Sequence, residues 1–160
     1  LPVSLDVIRE ILGGGRDHSV FELTDAIGQK DRKKGLRLLV SLLSEGEAPL
    51  MILSMLIRHF RMMASAKEAL RVEPESVVGR RVSMPPSRVP IFLKQVRLWQ
   101  ASQIRSAFDL FREADSQLKG GRLAPSIVME RLLFQLCVET EKQNNSPIPA
   151  TGAPAFSHGE

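Results

Sequence analysis

Apolar side chains recur along most of this chain at steps of three and four residues, the spacing of one face of a helix. Val20, Leu23, Ala26 and Ile27 predict a helix over 19–27, with Gly28 able to stop it. Leu36, Leu39, Val40 and Leu43 predict a second over 32–45, capped by Asp31 and terminated by Gly46. Pro49 opens the longest predicted helix, to about residue 70. Its stripe is Leu53, Leu56, Ile57, Phe60, Met63 and Ala64, widened by Met51, Ile52 and Met55, so its first half is expected near the centre of the core. His59 is placed on the exposed side of that helix.

Pro74 opens a short helix to about 79, and the prolines of 80–90 predict a loop. A helix over 91–99 uses Ile91, Phe92, Gln95, Val96 and Trp99. Ser102 is the expected cap of the next helix, with Ile104, Ala107, Phe108, Phe111, Ala114 and Leu118 on its stripe and Gly120 and Gly121 at its end. The last helix, from Pro125, is apolar around most of its circumference, as buried helices are. Residues 1–12 read as a short helix with Ser4 as its cap, broken by Gly13, Gly14 and Gly15. From Gln143 the composition of Asn, Ser, Pro and Gly predicts a disordered tail. With no two-residue alternation and no internal repeat, the expected fold is an all-α helical bundle with short connections.

Composition supports that reading. At 160 residues and 43% hydrophobic content, the chain is long and apolar enough for one domain with a core. The single cysteine, Cys137, excludes an internal disulfide framework and a cysteine-based zinc site. Its leucine neighbours suggest a core thiol rather than a reactive one, and a reducing, cytoplasmic setting fits. No apolar run reaches the ~20 residues of a membrane helix, so no membrane partner is expected. The chain starts at Leu1 without a methionine, which suggests a piece of a longer protein.

Charge changes the picture in one place. Residues 71–100 hold six cations against two acids, an excess equal to the whole net charge of +4. Arg80, Arg81, Arg88 and Lys94 are therefore the candidate nucleic-acid contacts, and a solvated surface is the plainer alternative. Trp99 beside them reads either as a base-stacking platform or as a core or interface aromatic at helical spacing with Phe92 and Val96. No phosphate loop, dinucleotide fingerprint or His-rich metal motif is present, the three histidines are scattered, and Glu139 and Glu141 read as a solvated helix end. No catalytic residue, metal site or cofactor is expected.

Asp115 falls on the apolar stripe of its helix, with Lys119 at the stripe's edge. Burying a charge without a partner is expensive. One reading is a partly buried network of Arg61, Asp115, Lys119 and Glu130 that sets helix register. The other is an ordinary exposed pair of Asp115 with Lys119.

Three stretches, VFELTDAIGQKDRKKGLRLLVSLLSEGEAP (20–49), LIRHFRMM (56–63) and EADSQLKGGRLAPSIVMERLLFQLC (113–137), resemble the C-terminal part of the bacterial DNA polymerase III clamp loader delta subunit. The resemblance implies a helical collar domain over 17–143, with 1–16 the end of a preceding AAA+ lid domain and 144–160 a tail. It implies that the collars of five subunits pack into a ring, in a loader that opens a sliding clamp and places it on primed DNA. The clamp is expected to be contacted through a region N-terminal to this chain, and no nucleotide is expected to be turned over here, although the parent belongs to a polymerase holoenzyme. Met55, Met62 and Trp99 are candidates for exposed apolar side chains at a collar interface. The alternative is a stand-alone helical nucleic-acid-binding protein using the basic segment 80–97.

Overall fold

In the computed structural model of the protein, the described residues run from 16 to 144, and their side chains from 20 to 138. The helix expected over 1–12, the tail from 145 onward, and the side chains of His18, Glu139, Glu141 and His158 lie outside them.

Among the described residues, seven α-helices and one 3-10 turn follow in order: α1 Arg16–Gly28, α2 Arg32–Ser44, α3 Pro49–Ala69, α4 Glu75–Arg81, the turn Pro86–Arg88, α5 Val89–Leu98, α6 Ala101–Gly120 and α7 Pro125–Asn144. No strand occurs among the described residues, so the expected all-α class is the observed one. The expected 80–90 loop is shorter than its prolines suggested. Pro86 opens the 3-10 turn and Pro90 sits in the first turn of α5, where a missing N–H loses nothing.

The ends of the helices follow local chemistry. The Asp31 side chain accepts a hydrogen bond from the Lys34 N–H at 3.2 Å, capping α2. Gly46 takes a φ of +89° just beyond α2, a conformation that glycine adopts without steric cost. The cap of α6 is Gln100, not Ser102. Its side chain and that of Gln103 satisfy each other's backbone N–H groups, and the Gln100 N–H reaches Gln103 Oε1 at 2.8 Å. Ser102 is already inside the first turn.

Helix α3 is the hub, packed by α1, α5, α6 and α7. It buries Ile52, Leu53, Leu56, Phe60 and Met63. Phe60 is central: it meets the edges of Trp99 at 5.0 Å and Phe111 at 5.1 Å between ring centroids. Helix α2 packs on α1 and α7, and α7 lies between α2 and α6. Cys137 is buried in α7, as its leucine neighbours suggested.

Candidate functional site

The basic segment is built from α4, the 3-10 turn and α5. Its cations do not form one free patch. Arg81 pairs with Glu73, and Arg97 pairs with Glu75 across α4 and α5. Arg80 is exposed, and its Nε donates to the Ser76 carbonyl at 3.1 Å on its own helix. Arg88 points inward: its Nη2 donates to Asp25 Oδ2 at 2.9 Å, and its guanidinium lies 4.8 Å from the centre of the Phe21 ring. Lys94 is exposed, with no ion-pair partner among the described residues. Between α4 and α5 runs an open groove of about 570 Å³, with Val82, Met84, Val89 and Leu93 in its lining and Arg80 and Arg97 among its polar residues.

Arg88 is the outer end of a polar chain that runs into the core. Asp25 Oδ1 accepts from the Gln95 Nε2 amide at 3.0 Å. Gln95, fully buried, turns its Oε1 toward His59 Nε2 at 2.7 Å. Because the Gln95 nitrogen donates to Asp25, its oxygen accepts, and the imidazole proton belongs on His59 Nε2. His59 is buried, not on the exposed side of α3, and its ring stands edge-on to Phe92 at 5.8 Å. Burial pushes its pKa below the ordinary value near 6.5, against the opposing pull of the Gln95 hydrogen bond and Asp25. The neutral imidazole is the form this core accepts.

The sequence does carry a signal for this polar chain. Leu56, His59, Phe60 and Met63 step by three and four residues, so His59 lies on the buried stripe. Gly28 completes the seam, since a Cβ there would come within 2.2 Å of Gln95 Oε1. Trp99 is buried as well. Its indole Nε1 donates to the Gly28 carbonyl at 2.9 Å, and Lys30 Nζ sits 5.0 Å from its ring centre. It is a core aromatic and offers no face for stacking or for an interface. Burial and the nearby Lys67 lower the pKa of Lys30, and Lys67 itself donates to the Val96 carbonyl at 3.1 Å near the end of α5.

The four residues expected to form a second network are not brought together. Lys119 Nζ meets Asp115 Oδ2 at 3.0 Å, with the two side chains 63% and 40% exposed. Arg61 and Glu130 are exposed and have no ion-pair partner among the described residues. Met55 and Met62 are half-buried against the core rather than open to solvent. The exposed large apolar residues are others, among them Val40, Ile91, Ile127 and Phe134. Sequence periodicity marked Ile127 and Phe134 only as parts of a helix expected to be buried. Among the described residues, no three His, Cys, Asp or Glu side chains gather as a metal site, and no helix is long and apolar enough to cross a membrane.

These features match one family. A profile of the DNA polymerase III delta subunit, C-terminal domain, matches residues 17–136. The DNA polymerase III subunit delta of Bacillus subtilis (strain 168) is 23% identical over 143 residues, covering 89% of this chain and 41% of that protein. The solved structure of the Bacillus subtilis DNA clamp loader delta protein shares the fold, with a TM-score of 0.66 at 23% identity over 85% of this chain and 40% of that one. The chain thus spans about two fifths of the length of the curated relative it matches.

Proposed function

The chain belongs to the family formed by the C-terminal domain of the DNA polymerase III delta subunit, and from that premise we propose that it is the collar, or oligomerisation, domain of a clamp loader that places a sliding clamp on primed DNA in the cytoplasm. The collar corresponds to residues 17–143, with 1–16 as the end of an AAA+ lid domain and 144–160 as a tail. Other loader subunits are its direct partners. DNA and the clamp are met in the assembled complex, the clamp through a region N-terminal to these residues.

The observation that carries this reading is the family match, which extends over three quarters of the chain, from the start of α1 into α7. Two structural facts support it. Among the described residues, the buried side chains are apolar apart from Thr24, Gln103 and the His59–Gln95 pair, each of these four hydrogen-bonded within the fold. Exposed apolar residues remain on several helices, as an assembly module requires.

The test mixes the chain with the other purified clamp-loader subunits of its organism and measures mass by size-exclusion chromatography with light scattering. A stable complex of defined stoichiometry is expected, and only separate subunits at micromolar concentration would overturn the proposal. The stand-alone nucleic-acid reading has weaker support, because Arg81 and Arg88 are neutralised by Glu73 and Asp25. It requires salt-sensitive affinity of the isolated chain for DNA.

A further inference from the structure

Helix α7 has more apolar surface than its neighbours cover. Val128, Met129, Leu132, Leu133, Leu136 and Cys137 are buried against α2, α3 and α6. On the opposite side, Ile127 is 48% and Phe134 50% exposed. Seven residues apart, they lie within about 20° of each other on the helix, and Phe134 is about 160° from both Leu132 and Leu136. Half-buried Val138 follows one turn later. The result is an outward apolar line, or ridge, about 16 Å long at 1.5 Å per residue, interrupted between Ile127 and Phe134 by exposed Arg131.

The surroundings of this ridge are charged. The Arg32 guanidinium, from the start of α2, lies 5.5 Å from the centre of the Phe134 ring. Glu130 flanks the ridge on α7 itself and, like Arg131 within it, is exposed. Behind Arg32, residues 30–37 carry Lys30, Arg32, Lys33, Lys34 and Arg37 against a single acid, Asp31. That acid already caps α2. Cations at the first turn of a helix also oppose its dipole. A net charge of +4 that matches the excess in 71–100 conceals this second cluster, because acids elsewhere balance it.

We infer that the outer ridge of α7, with the basic start of α2, is a docking surface for a helical protein face that has an apolar groove and an acidic rim. In clamp-loader terms the occupant is the adjoining collar of a different subunit, which rests on the collar reading above. Three features select this occupant. A second copy of this chain would set its own basic rim against this one, and like charges facing each other strongly disfavour such a pairing. A single-stranded nucleic acid would find one ring for stacking and no second, since Ile127 and Val138 offer no π face. Glu130 beside the ridge also repels phosphate. A half-exposed Phe between arginines has the composition of an interface anchor.

The experiment compares Phe134→Asp, Arg32→Glu and, on a distant helix, Ile91→Asp in binding to the other purified loader subunits by surface plasmon resonance. Each variant's melting temperature is measured alongside. Phe134→Asp is expected to weaken binding at least about thirty-fold, as loss of a central anchor does, with the fold retained and the melting temperature lowered by no more than about 5 °C, because half of the side chain is already in water. Arg32→Glu is expected to weaken it less and to flatten its dependence on salt. If wild type binds and Phe134→Asp binds equally well, the ridge assignment is overturned while the collar reading stands, and a loss with Ile91→Asp then moves the interface to α5. If wild type does not bind, both are overturned. Binding of a poly-dT oligonucleotide that Phe134→Asp abolishes, with subunit binding intact, would overturn the protein occupant in favour of nucleic acid. A dimer of the wild-type chain dissolved by Phe134→Asp would overturn it in favour of self-association.

Discussion

Two polar groups in this protein lie about equally far from the centre of their helical stripes, on opposite flanks, and have opposite fates. His59 stands on α3 in the series Leu56, His59, Phe60, Met63. Asp115 stands on α6 in the series Phe111, Ala114, Asp115, Leu118. Both follow steps of three, four and seven residues. His59 is buried and hydrogen-bonded through Gln95 and Asp25 to Arg88. Asp115 is 40% exposed and meets only its own helix's Lys119. The difference lies in how many neighbours each helix has. Helix α3 is packed by α1, α5, α6 and α7, so a wide arc of it is closed to water, whereas the principal packing of α6 is on α3 and α7. Spacing identifies a face, and the number of helices laid on that face decides how far round burial extends.

The sharpest way to break this comparison is at Gln95, the middle link. Gln95→Leu keeps the volume and removes both hydrogen bonds, leaving buried His59 without its partner and half-buried Asp25 with Arg88 alone. Unmade bonds on buried groups are expensive, and a loss of about 3 kcal/mol is expected in urea unfolding. An effect below about 0.5 kcal/mol would place the inner chain on the level of a surface pair.

Gly28→Ala approaches the same link from the other side. The new Cβ would lie 2.2 Å from Gln95 Oε1, so the amide must move away from His59. A loss of about 1–3 kcal/mol follows from overpacking. Combined with Gln95→Ala the two losses should not add, because the shortened side chain vacates the space the methyl needs. Full additivity would show that Gly28 acts through something other than Gln95.

The pH dependence tests the protonation state. His59 has its pKa lowered in the folded protein. Above about pH 6.5 both states are neutral and the group contributes nothing to the slope. As the pH falls below that value, the unfolded chain takes up a proton that the folded chain refuses, so stability declines until the folded pKa is passed. The slope from this group cannot exceed about 1.4 kcal/mol per pH unit. It should vanish in His59→Gln, measured between about pH 7 and 5, the range that brackets an ordinary imidazole. Persistence of the full slope in that variant would assign it to other groups.

Much of the fold was legible. The helices of the described residues followed from periodicity and proline or glycine punctuation, while the spacing of Trp99 with Phe92 and Val96 allowed the core place it takes beside the stacking and interface readings that it does not. What escaped depends on contacts between distant segments. Asp25, His59, Arg88 and Gln95 lie up to 70 residues apart, and no local rule links them. The basic segment was visible as charge, but its pairing with Glu73, Asp25 and Glu75 was not. The polar cap of α6 differs from expectation for a related reason: Ser102 has the better cap propensity, but Gln100 and Gln103 satisfy each other's backbone at the correct turn.

The smallest expected effect belongs to the outer member of the comparison. Asp115 and Lys119 form a pair one helical turn apart with both side chains substantially in water. Such pairs are worth about 0.3–0.5 kcal/mol, because solvent screens the attraction and ordering two long side chains offsets it. Asp115→Ala also places the best helix former in the middle of α6, which returns several tenths of a kcal/mol. The two terms nearly cancel, so the melting temperature should move by no more than ~2 °C for a domain of this size, and added salt should tip the small change toward stabilisation, because it screens the pair and leaves the helix propensity of Ala untouched. A loss above about 1 kcal/mol lies outside what an exposed pair supplies. It would require Asp115 to have a buried partner and would erase the distinction between the two helices drawn above.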